Sequence, residues 1–297
     1  MSENLPIRRF PDTVEVFSGE SVRLRLDLAY DGAAFSGWAV QPDRRTVQGV
    51  LEWAFARILR LDFPPRLTVA GRTDAGVHAH RQVAHVDLAT SLWRDGYPAL
   101  LRRLQRVLPE DIQLYSLQAV PPEFDARFSA LWRRYQYRIA DANTQLDPVR
   151  RGFVLSWPRA LDVEAMHDAA QRFIGEHDFV AFCRFRPNAT SIRRLDRFDI
   201  ARDGATGEVL CELKADAFCH SMVRSLVGAL IAVGEGRHPK DWPASLLTRT
   251  SRADEVTVAA PHGLTLVEVA YPQPDEFAPQ AARTRRLRVL PEPRSLG

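Results

Sequence analysis

One short segment of the sequence, GRTDAGVH at residues 71–78, combines residue types that could do chemistry. Its two glycines, Gly71 and Gly76, allow a tight backbone path that other residues resist. The carboxylate of Asp74 is expected to stay ionised because the positive charge of Arg72 favours its charged form. Such a group can act as a nucleophile or as a general base. An ordinary β-turn is the other interpretation, since Asp-Ala-Gly is common in turns where the aspartate bonds its own backbone.

The segments around this octet have the patterns of strands and a helix. In VRLRLDLAYDG, apolar side chains alternate with polar ones from Val22 to Leu28, which predicts a strand with one buried face. Thr46 can cap a helix through QGVLEWAFARILR, where apolar residues recur at helical spacing. LTVAG and QVAHVDL are predicted strands on either side of a loop, RTDAGVHAH. These patterns predict an antiparallel sheet with a helix packed on it.

The second half of the chain repeats this order loosely. ALWRRYQYRI and EVLCELKAD are predicted strands, and GLTLVEVAYP is a final strand that stops at Pro272. Asp162 can cap a helix through VEAMHDAAQRFIG, which should end at Gly175. CHSMVRSLVGALIAVGEG is predicted to form a strongly apolar helix. The repeated content predicts two halves with similar architecture.

The predicted fold class is therefore α/β, in the sense of α+β. Each half is predicted to be an antiparallel sheet backed by helices, with a central cleft between the halves. We expect the catalytic site in this cleft, because ligands favour such junctions. The predicted divisions are a flexible leader at 1–20, an N-terminal half with the aspartate loop at 22–120, a C-terminal half at 121–272, and a mobile, Pro-rich, basic tail at 273–297.

Composition limits the class of protein. The 297 residues are 45% apolar and 26% charged, which is typical of a globular protein, and no stretch approaches the roughly 20 apolar residues of a membrane span. Cys183, Cys211 and Cys219 fit neither a zinc pattern nor an even disulfide framework, so we predict reduced thiols and a cytoplasmic protein. Of the 40 basic residues, 38 are arginines. A GC-rich genome and phosphate recognition both explain that bias.

The octet GRTDAGVH resembles the signature of the TruA-type tRNA pseudouridine synthases. Further segments resemble that family in the same order along the chain: AYDGAAFSGW with TVQGVLEWAF, FDARFSALWRRYQYRI, FIGEHDFVAFC, ADAFCHSMVRSLVGALIAVGEG and HGLTLVEVAYP. The likeness spans about residues 22–272. It implies the pseudouridine synthase fold and the isomerisation of uridine to pseudouridine in the tRNA anticodon stem-loop, expected at nucleotides 38 to 40. It also implies a homodimer that needs no cofactor. No metal and no membrane partner are expected, because no zinc spacing and no long apolar stretch is present in the sequence.

The resemblance assigns catalytic roles to three residues. Asp74 matches the catalytic aspartate of the family and is the expected nucleophile. Tyr135 matches the active-site tyrosine, whose ring can stack on uracil and whose hydroxyl can take part in proton transfer. Arg224 matches the arginine that pairs with the aspartate. Whether the carboxylate adds to the uracil ring or acts at the sugar stays open.

The resemblance also implies a set of substrate-binding residues. Arg72 matches the arginine that helps to hold the target nucleotide out of its stack, which exposes the reacting atoms. Tyr135 belongs to this set as well. Thr73, His78 and His220 lie at family motif positions, although each histidine could equally bond a backbone group. His78 and its neighbouring histidines match no standard zinc spacing.

Candidate contacts to RNA phosphates are arginines, and a solvated basic face is the alternative. They are Arg102, Arg103, Arg106, Arg133, Arg134, Arg184, Arg186, Arg193 and Arg194. Three features depart from the family pattern: Ser221, Arg81 and the arginines of ALLRRLQRVLPEDI. These departures affect the predicted RNA contacts more than the predicted chemistry.

Two other function classes compete with the synthase. One is a non-catalytic RNA-binding protein on the same scaffold, which the retention of Asp74, Tyr135 and Arg224 disfavours. The other is an aspartate-dependent hydrolase of a glycosidic or phosphate bond. Glycoside hydrolysis usually needs two carboxylates, and the motifs contain no obvious second one.

Overall fold

The computed structural model describes residues 20–92, 96–184, 190–286 and 288. They belong to two compact units. Unit 1 contains the described residues up to Leu131 together with Leu266–Thr284, and unit 2 contains those of Trp132–Thr265 and the segment from Arg285. No helix among the described residues is long and apolar enough to cross a bilayer.

The strands of these residues are β1 (Ser21–Tyr30), β2 (Thr68–Val69), β3 (His78–Ala89), β4 (Ile112–Val120), β5 (Trp132–Ala140), β6 (Leu155–Ser156), β7 (Gly175–Asp178), β8 (Ile192–Arg202), β9 (Val209–Ala215) and β10 (Leu264–Ala270). The α-helices are α1 (Val47–Leu59), α2 (Tyr97–Val107), α3 (Val163–Gln171), α4 (Met222–Gly234), α5 (Trp242–Ser245) and α6 (Phe277–Arg285).

Unit 1 is built on a sheet in the order β4-β1-β3-β10, with β2 paired to β3. Strand β1 runs antiparallel to both β3 and β4. Its alternate residues Leu24, Leu26 and Leu28 are fully buried, which confirms the predicted strand with one apolar face. Helix α1 begins where predicted, because the Thr46 side chain accepts a hydrogen bond from the backbone N–H of Gly49.

Unit 2 contains the antiparallel order β5-β9-β8-β7, with β6 parallel to β5. Helix α3 packs on β8 and on α4, whose residues are almost all buried. The side chain of Asp162 caps α3 as predicted, but the helix ends at Gln171. The prediction that it continues to Gly175 is wrong, since Gly175 adopts φ +117° and begins β7.

The chain leaves unit 1 after Leu131, later than the division predicted at residue 120. Aromatic packing explains this difference, because the ring centroid of Phe124 lies 4.9 Å from that of Tyr271 and 5.1 Å from that of Phe277.

The contact between Phe124 and Phe277 also concerns the predicted tail. Residues 277–285 form helix α6 with Phe277 buried, so the prediction of a mobile segment is wrong there. The predicted leader lies outside the described residues except for residue 20.

The cysteines of unit 2 also differ from the prediction. Cys183 and Cys219 form a disulfide with their Cα atoms 5.8 Å apart, so the expected reduced thiols are wrong for this pair. Their spacing of 36 residues gave no signal, because the folded chain brings the two loops together. Cys211 remains a buried free thiol, and burial raises its pKa to about 12.

Candidate active site

The aspartate loop connects β2 to β3 within unit 1. Residues 74–77 form a turn, in which the carbonyl oxygen of Asp74 accepts a hydrogen bond from the N–H of Val77 at 3.2 Å. Gly76 adopts φ +77° inside this turn, which explains the glycine at that position. Thr73 is buried, Asp74 is half-buried and Arg72 is exposed. The loop therefore carries a carboxylate and a guanidinium on either side of Thr73, whose side chain is buried.

A second segment of unit 1, residues 31–38, holds this loop from one side. The N–H of Trp38 donates to the carbonyl oxygen of Thr73 at 3.1 Å, and the N–H of Gly76 donates to that of Phe35 at 3.2 Å. Gly37 adopts φ +90°, and a Cβ atom there would lie 2.8 Å from the Thr73 oxygen. This close approach is possible because Gly37 lacks a side chain.

His78 takes part in the same anchoring. It is 1% exposed, and its Nδ1 accepts a hydrogen bond from the N–H of Gly32 at 3.0 Å. The carboxylate of Asp31 lies 3.0 Å from the same nitrogen. The imidazole therefore ties the start of β3 to the 31–38 segment. This geometry favours a backbone-bonding role, which was one of the two interpretations of this histidine.

Two further residues of unit 1 form hydrogen bonds to the loop, and neither was among the predicted site residues. Tyr30 is hydrogen-bonded to the Thr73 hydroxyl, and Gln82 donates to the carbonyl oxygen of Gly71. A signal for Tyr30 existed, because it continues the buried face of the alternating strand β1. A tyrosine buried in this way needs a partner for its hydroxyl. Gln82 lies on β3 and is fully buried. Nothing in the sequence around Gln82 predicted its burial or its contact with the loop.

Unit 2 carries the other predicted catalytic residues. Tyr135 lies on β5 with 7% of its surface exposed, and its ring packs edge-on against Phe218 at 5.1 Å between centroids. Arg224 lies in the first turn of α4, half-buried, and its Nε donates to the carbonyl oxygen of Ala259 at 2.7 Å. The N–H of Ala259 donates back to the Arg224 carbonyl oxygen at 3.0 Å. These paired bonds fix the base of the Arg224 side chain against the segment before β10.

His220 precedes α4 in a loop that its backbone helps to anchor. The carbonyl oxygen of His220 accepts a hydrogen bond from the N–H of Arg184 at 3.0 Å. Ser221, the next residue, adopts a left-handed conformation with φ +63° at the start of the helix. The loop is thus shaped by backbone contacts within unit 2.

The candidate RNA-binding arginines fall into distinct environments. Arg102, Arg103 and Arg106 are exposed on α2, and Arg103 also donates to the Ile58 carbonyl oxygen at 2.6 Å. Arg133 is 5% exposed and donates to the carbonyl oxygen of Asp216 at 2.5 Å, so its prediction as a phosphate contact is wrong.

The remaining candidates lie in unit 2. Arg134 pairs with Glu212 at 3.4 Å, and exposed Arg194 pairs with Asp196 at 3.0 Å. Arg184 is exposed and Arg193 is half-buried. Arg186 lies outside the described residues.

Known proteins resemble this chain over most of its length. The tRNA pseudouridine synthase A of Frankia casuarinae is 57% identical over 272 residues, which are 92% of this chain and 97% of the relative. That of Cutibacterium acnes is 54% identical over 90% of this chain and 95% of the relative. That of Streptomyces griseus is 52% identical over 91% and 95%.

A family model described as tRNA pseudouridine synthase matches residues 169–272. Among solved structures, one described as "Crystal Structure of a Cbf5-Nop10-Gar1 Complex" matches 70% of this chain and 45% of its own chain, at 14% identity and a TM-score of 0.32. The relatives of high identity align with nearly the whole chain. This chain belongs to the tRNA pseudouridine synthase A family.

Proposed function

We propose that this protein isomerises uridine to pseudouridine in tRNA, with Asp74 as the nucleophile. The observation that carries the proposal is the identity of 57% to a tRNA pseudouridine synthase A over 92% of the chain. The geometry of unit 1 supports it, since the 31–38 segment and His78 hold the backbone on which Asp74 is presented. A nucleophile needs such a rigid support to meet its target at a fixed distance.

The proposed reaction is balanced without any added reagent. The bond between uracil N1 and ribose C1′ breaks, the base turns, and a new bond forms between C5 and C1′. The proton on C5 is lost and N1 gains one, so neither redox cofactor nor leaving group is required. The carboxylate of Asp74 is the proposed nucleophile, and its attack on the ring and its attack at the sugar both stay open.

Companion roles follow for residues of both units. We assign Tyr135 to stacking on the uracil and to the proton transfer at C5, and Arg224 to the partner cation of the carboxylate. Arg72, exposed beside Asp74, would hold the target nucleotide after it leaves its stack. Thr73, His78 and His220 complete the proposed substrate-binding set through the loops that they shape. These roles require a cleft between the two halves, which is part of the proposal.

The proposed substrate region is the anticodon stem-loop of tRNA. An RNA hairpin is recognised largely through its backbone and shape, which suits the exposed arginines of α2. The proposed working form is a homodimer in the cytoplasm, where tRNA is available. The family likeness supports both the anticodon stem-loop as the substrate region and the homodimer as the working form.

Mapping of the product tests the proposed function. Unmodified tRNA transcripts are incubated with the protein in EDTA and without nucleotides, and pseudouridine is located by chemical derivatisation and mass spectrometry. We expect pseudouridine in the anticodon arm and no free uracil. Release of free uracil would indicate a hydrolase, and tight tRNA binding without product would indicate a non-catalytic RNA-binding protein. A product confined to another arm would overturn the assigned region.

A further inference from the structure

The hydroxyl group of Tyr30 lies at the centre of a buried hydrogen-bond network in unit 1. It is 2.8 Å from the hydroxyl oxygen of Thr73, and Gln82 Nε2 donates to it at 3.2 Å. The same Nε2 donates to the carbonyl oxygen of Gly71 at 2.9 Å. The network therefore touches the aspartate loop at two residues that precede Asp74.

We propose that Tyr30 and Gln82 are positioning residues, which set the catalytic geometry of Asp74 by fixing Gly71 and the side chain of Thr73. This inference rests on the proposed role of Asp74 as the nucleophile. Neither residue is proposed to touch the reacting atoms. They act through the loop that carries the carboxylate.

The direction of each hydrogen bond follows from the chemistry of the groups. A carbonyl oxygen can only accept, so the NH₂ group of Gln82 must face Gly71. The second proton of that NH₂ group is then directed at the Tyr30 oxygen. The amide oxygen of Gln82 accepts from the N–H of Val83 at 3.2 Å. Every hydrogen-bonding atom of the Gln82 amide is thereby used, which fixes its orientation.

The Tyr30 hydroxyl accepts a hydrogen bond from Gln82, and it also needs an acceptor for the hydrogen bond that it donates. Tyr30 is 4% exposed, and a buried donor left without an acceptor is costly. Among the described residues, the acceptor within reach is the Thr73 oxygen. The Thr73 hydroxyl oxygen thus accepts a hydrogen bond from Tyr30, and the Thr73 hydroxyl proton must point away from Tyr30. Burial raises the pKa of Tyr30 to about 12, so the phenol stays a neutral donor at working pH.

The network adds side-chain control to the backbone control of the 31–38 segment. Trp38 holds the carbonyl oxygen of Thr73, whereas Tyr30 holds the side chain of the same residue. Two independent attachments to one residue restrict both its position and its rotation. Because Asp74 follows Thr73 directly, a rotation about Thr73 would redirect the carboxylate. Misplacement of a reacting group by about 1 Å can cost on the order of a hundredfold in rate.

The test compares two tyrosine hydroxyls of unit 1. Tyr30→Phe deletes the hydroxyl that reaches Thr73. The matched control, Tyr271→Phe, deletes a hydroxyl that donates to the carbonyl oxygen of Ala126 at 2.6 Å. We expect Tyr30→Phe to lower kcat on tRNA by about 10- to 100-fold with KM changed less than about threefold. Tyr271→Phe should leave both kinetic constants close to wild type, although thermal unfolding should shift in both variants.

A second variant covers the case in which Tyr30→Phe does not fold. Gln82→Met keeps the approximate size of the side chain and removes both donated protons. It should lower kcat with KM preserved, and combining it with Tyr30→Phe should lower kcat by less than the product of the two separate effects. Such non-additivity is expected for residues that act through one network.

Several outcomes would overturn the inference. It fails if Tyr30→Phe and Tyr271→Phe have equal kcat, or if the changes at Tyr30 and Gln82 raise KM alone. Asp74→Asn is assayed in parallel. An inactive Asp74→Asn with a fully active Tyr30→Phe would refute the positioning role alone. An active Asp74→Asn would refute the proposed nucleophile, whatever the tyrosine variants do.

Discussion

The backbone N–H of Trp38 donates a hydrogen bond to the carbonyl oxygen of Thr73 over 3.1 Å. This bond joins the turn after β1 to the residue that precedes the proposed nucleophile. Gly37 lies at the same contact with φ +90°. The 31–38 segment therefore helps to position Asp74, together with the octet that contains it.

Substitution of Gly37 should disturb this contact. In Gly37→Ala the new Cβ would lie 2.8 Å from the Thr73 oxygen and 3.2 Å from the Ala75 nitrogen, on a backbone that disfavours any side chain. We expect a loss of about 1–3 kcal/mol in the free energy of unfolding and a fall in kcat of about tenfold or more. Urea unfolding and turnover of tRNA measure the two effects.

The control for this prediction is Gly236→Ala. Gly236 has φ +71°, and a Cβ there would meet no atom within 4 Å. The control should be destabilised by backbone strain and keep its kcat. Equal losses of kcat in both variants would show that strain alone, and not displacement of the aspartate loop, lowers activity.

Asp141 should make the stability of unit 2 depend on acid pH. Burial alone raises the pKa of this carboxyl, but hydrogen bonds from Arg202, Leu161 and Thr144 outweigh it and lower the pKa to about 2. Because the folded pKa is below the unfolded value, the contribution is complete above about pH 5 and is lost as pH falls from about 4 to 2. The shift corresponds to about 2 kcal/mol.

The measurement is urea unfolding of wild type and Asp141→Asn between pH 7 and pH 3. The difference between the two proteins should be largest at pH 7 and shrink toward pH 3. Asp168→Asn is the comparison. Lys240 lowers the pKa of Asp168 too, but this pair is exposed, so its pH-dependent contribution should be much smaller than that of Asp141. A difference at Asp141 that grows on acidification would contradict this prediction.

The exposed arginines of α2 should contribute to tRNA affinity through counterion release. We expect Arg102→Ala and Arg106→Ala each to weaken binding and to reduce the slope of log affinity against log salt by about 0.7–0.9, the value for one phosphate contact. Filter binding over a range of KCl concentrations measures this slope. Arg249→Ala, which removes an exposed arginine paired with Glu255, should leave it unchanged. An unchanged slope in the α2 variants would remove α2 from the RNA interface.

Local sequence patterns predicted the elements whose stability is local. The alternation in β1 and the cap at Thr46 are visible because each depends on residues a few positions apart. The end of α3 was mispredicted because the pattern continues past Gln171, and the structure places the glycine in β7. Strands β4, β7 and β8 and helix α2 were not predicted at all. Helix α6 was missed because its stability depends on Phe277 packing against Phe124, far away in the sequence.

The candidate site shows the same division. The octet identified Asp74 because its chemistry is concentrated in one segment. The sequence did not predict roles for Tyr30 and Gln82, because their contacts to the loop arise from the pairing of β1 with β3. Arg133 was misassigned because alternation along β5 places it on the buried side, where it bonds the Asp216 carbonyl oxygen. A charge in the sequence carries no information about burial until the register of its strand is known.

The turnover of Asp74→Asn on unmodified tRNA tests whether Asp74 is the nucleophile. Asp87→Asn is the matched control, since Asp87 lies on β3 of the same unit and pairs with Arg23 at 2.6 Å. We expect Asp74→Asn to bind tRNA with unchanged Kd and to form pseudouridine at least about a thousandfold more slowly, while Asp87→Asn stays within about twofold of wild type. Turnover by Asp74→Asn within tenfold of wild type would show that Asp74 is not the nucleophile.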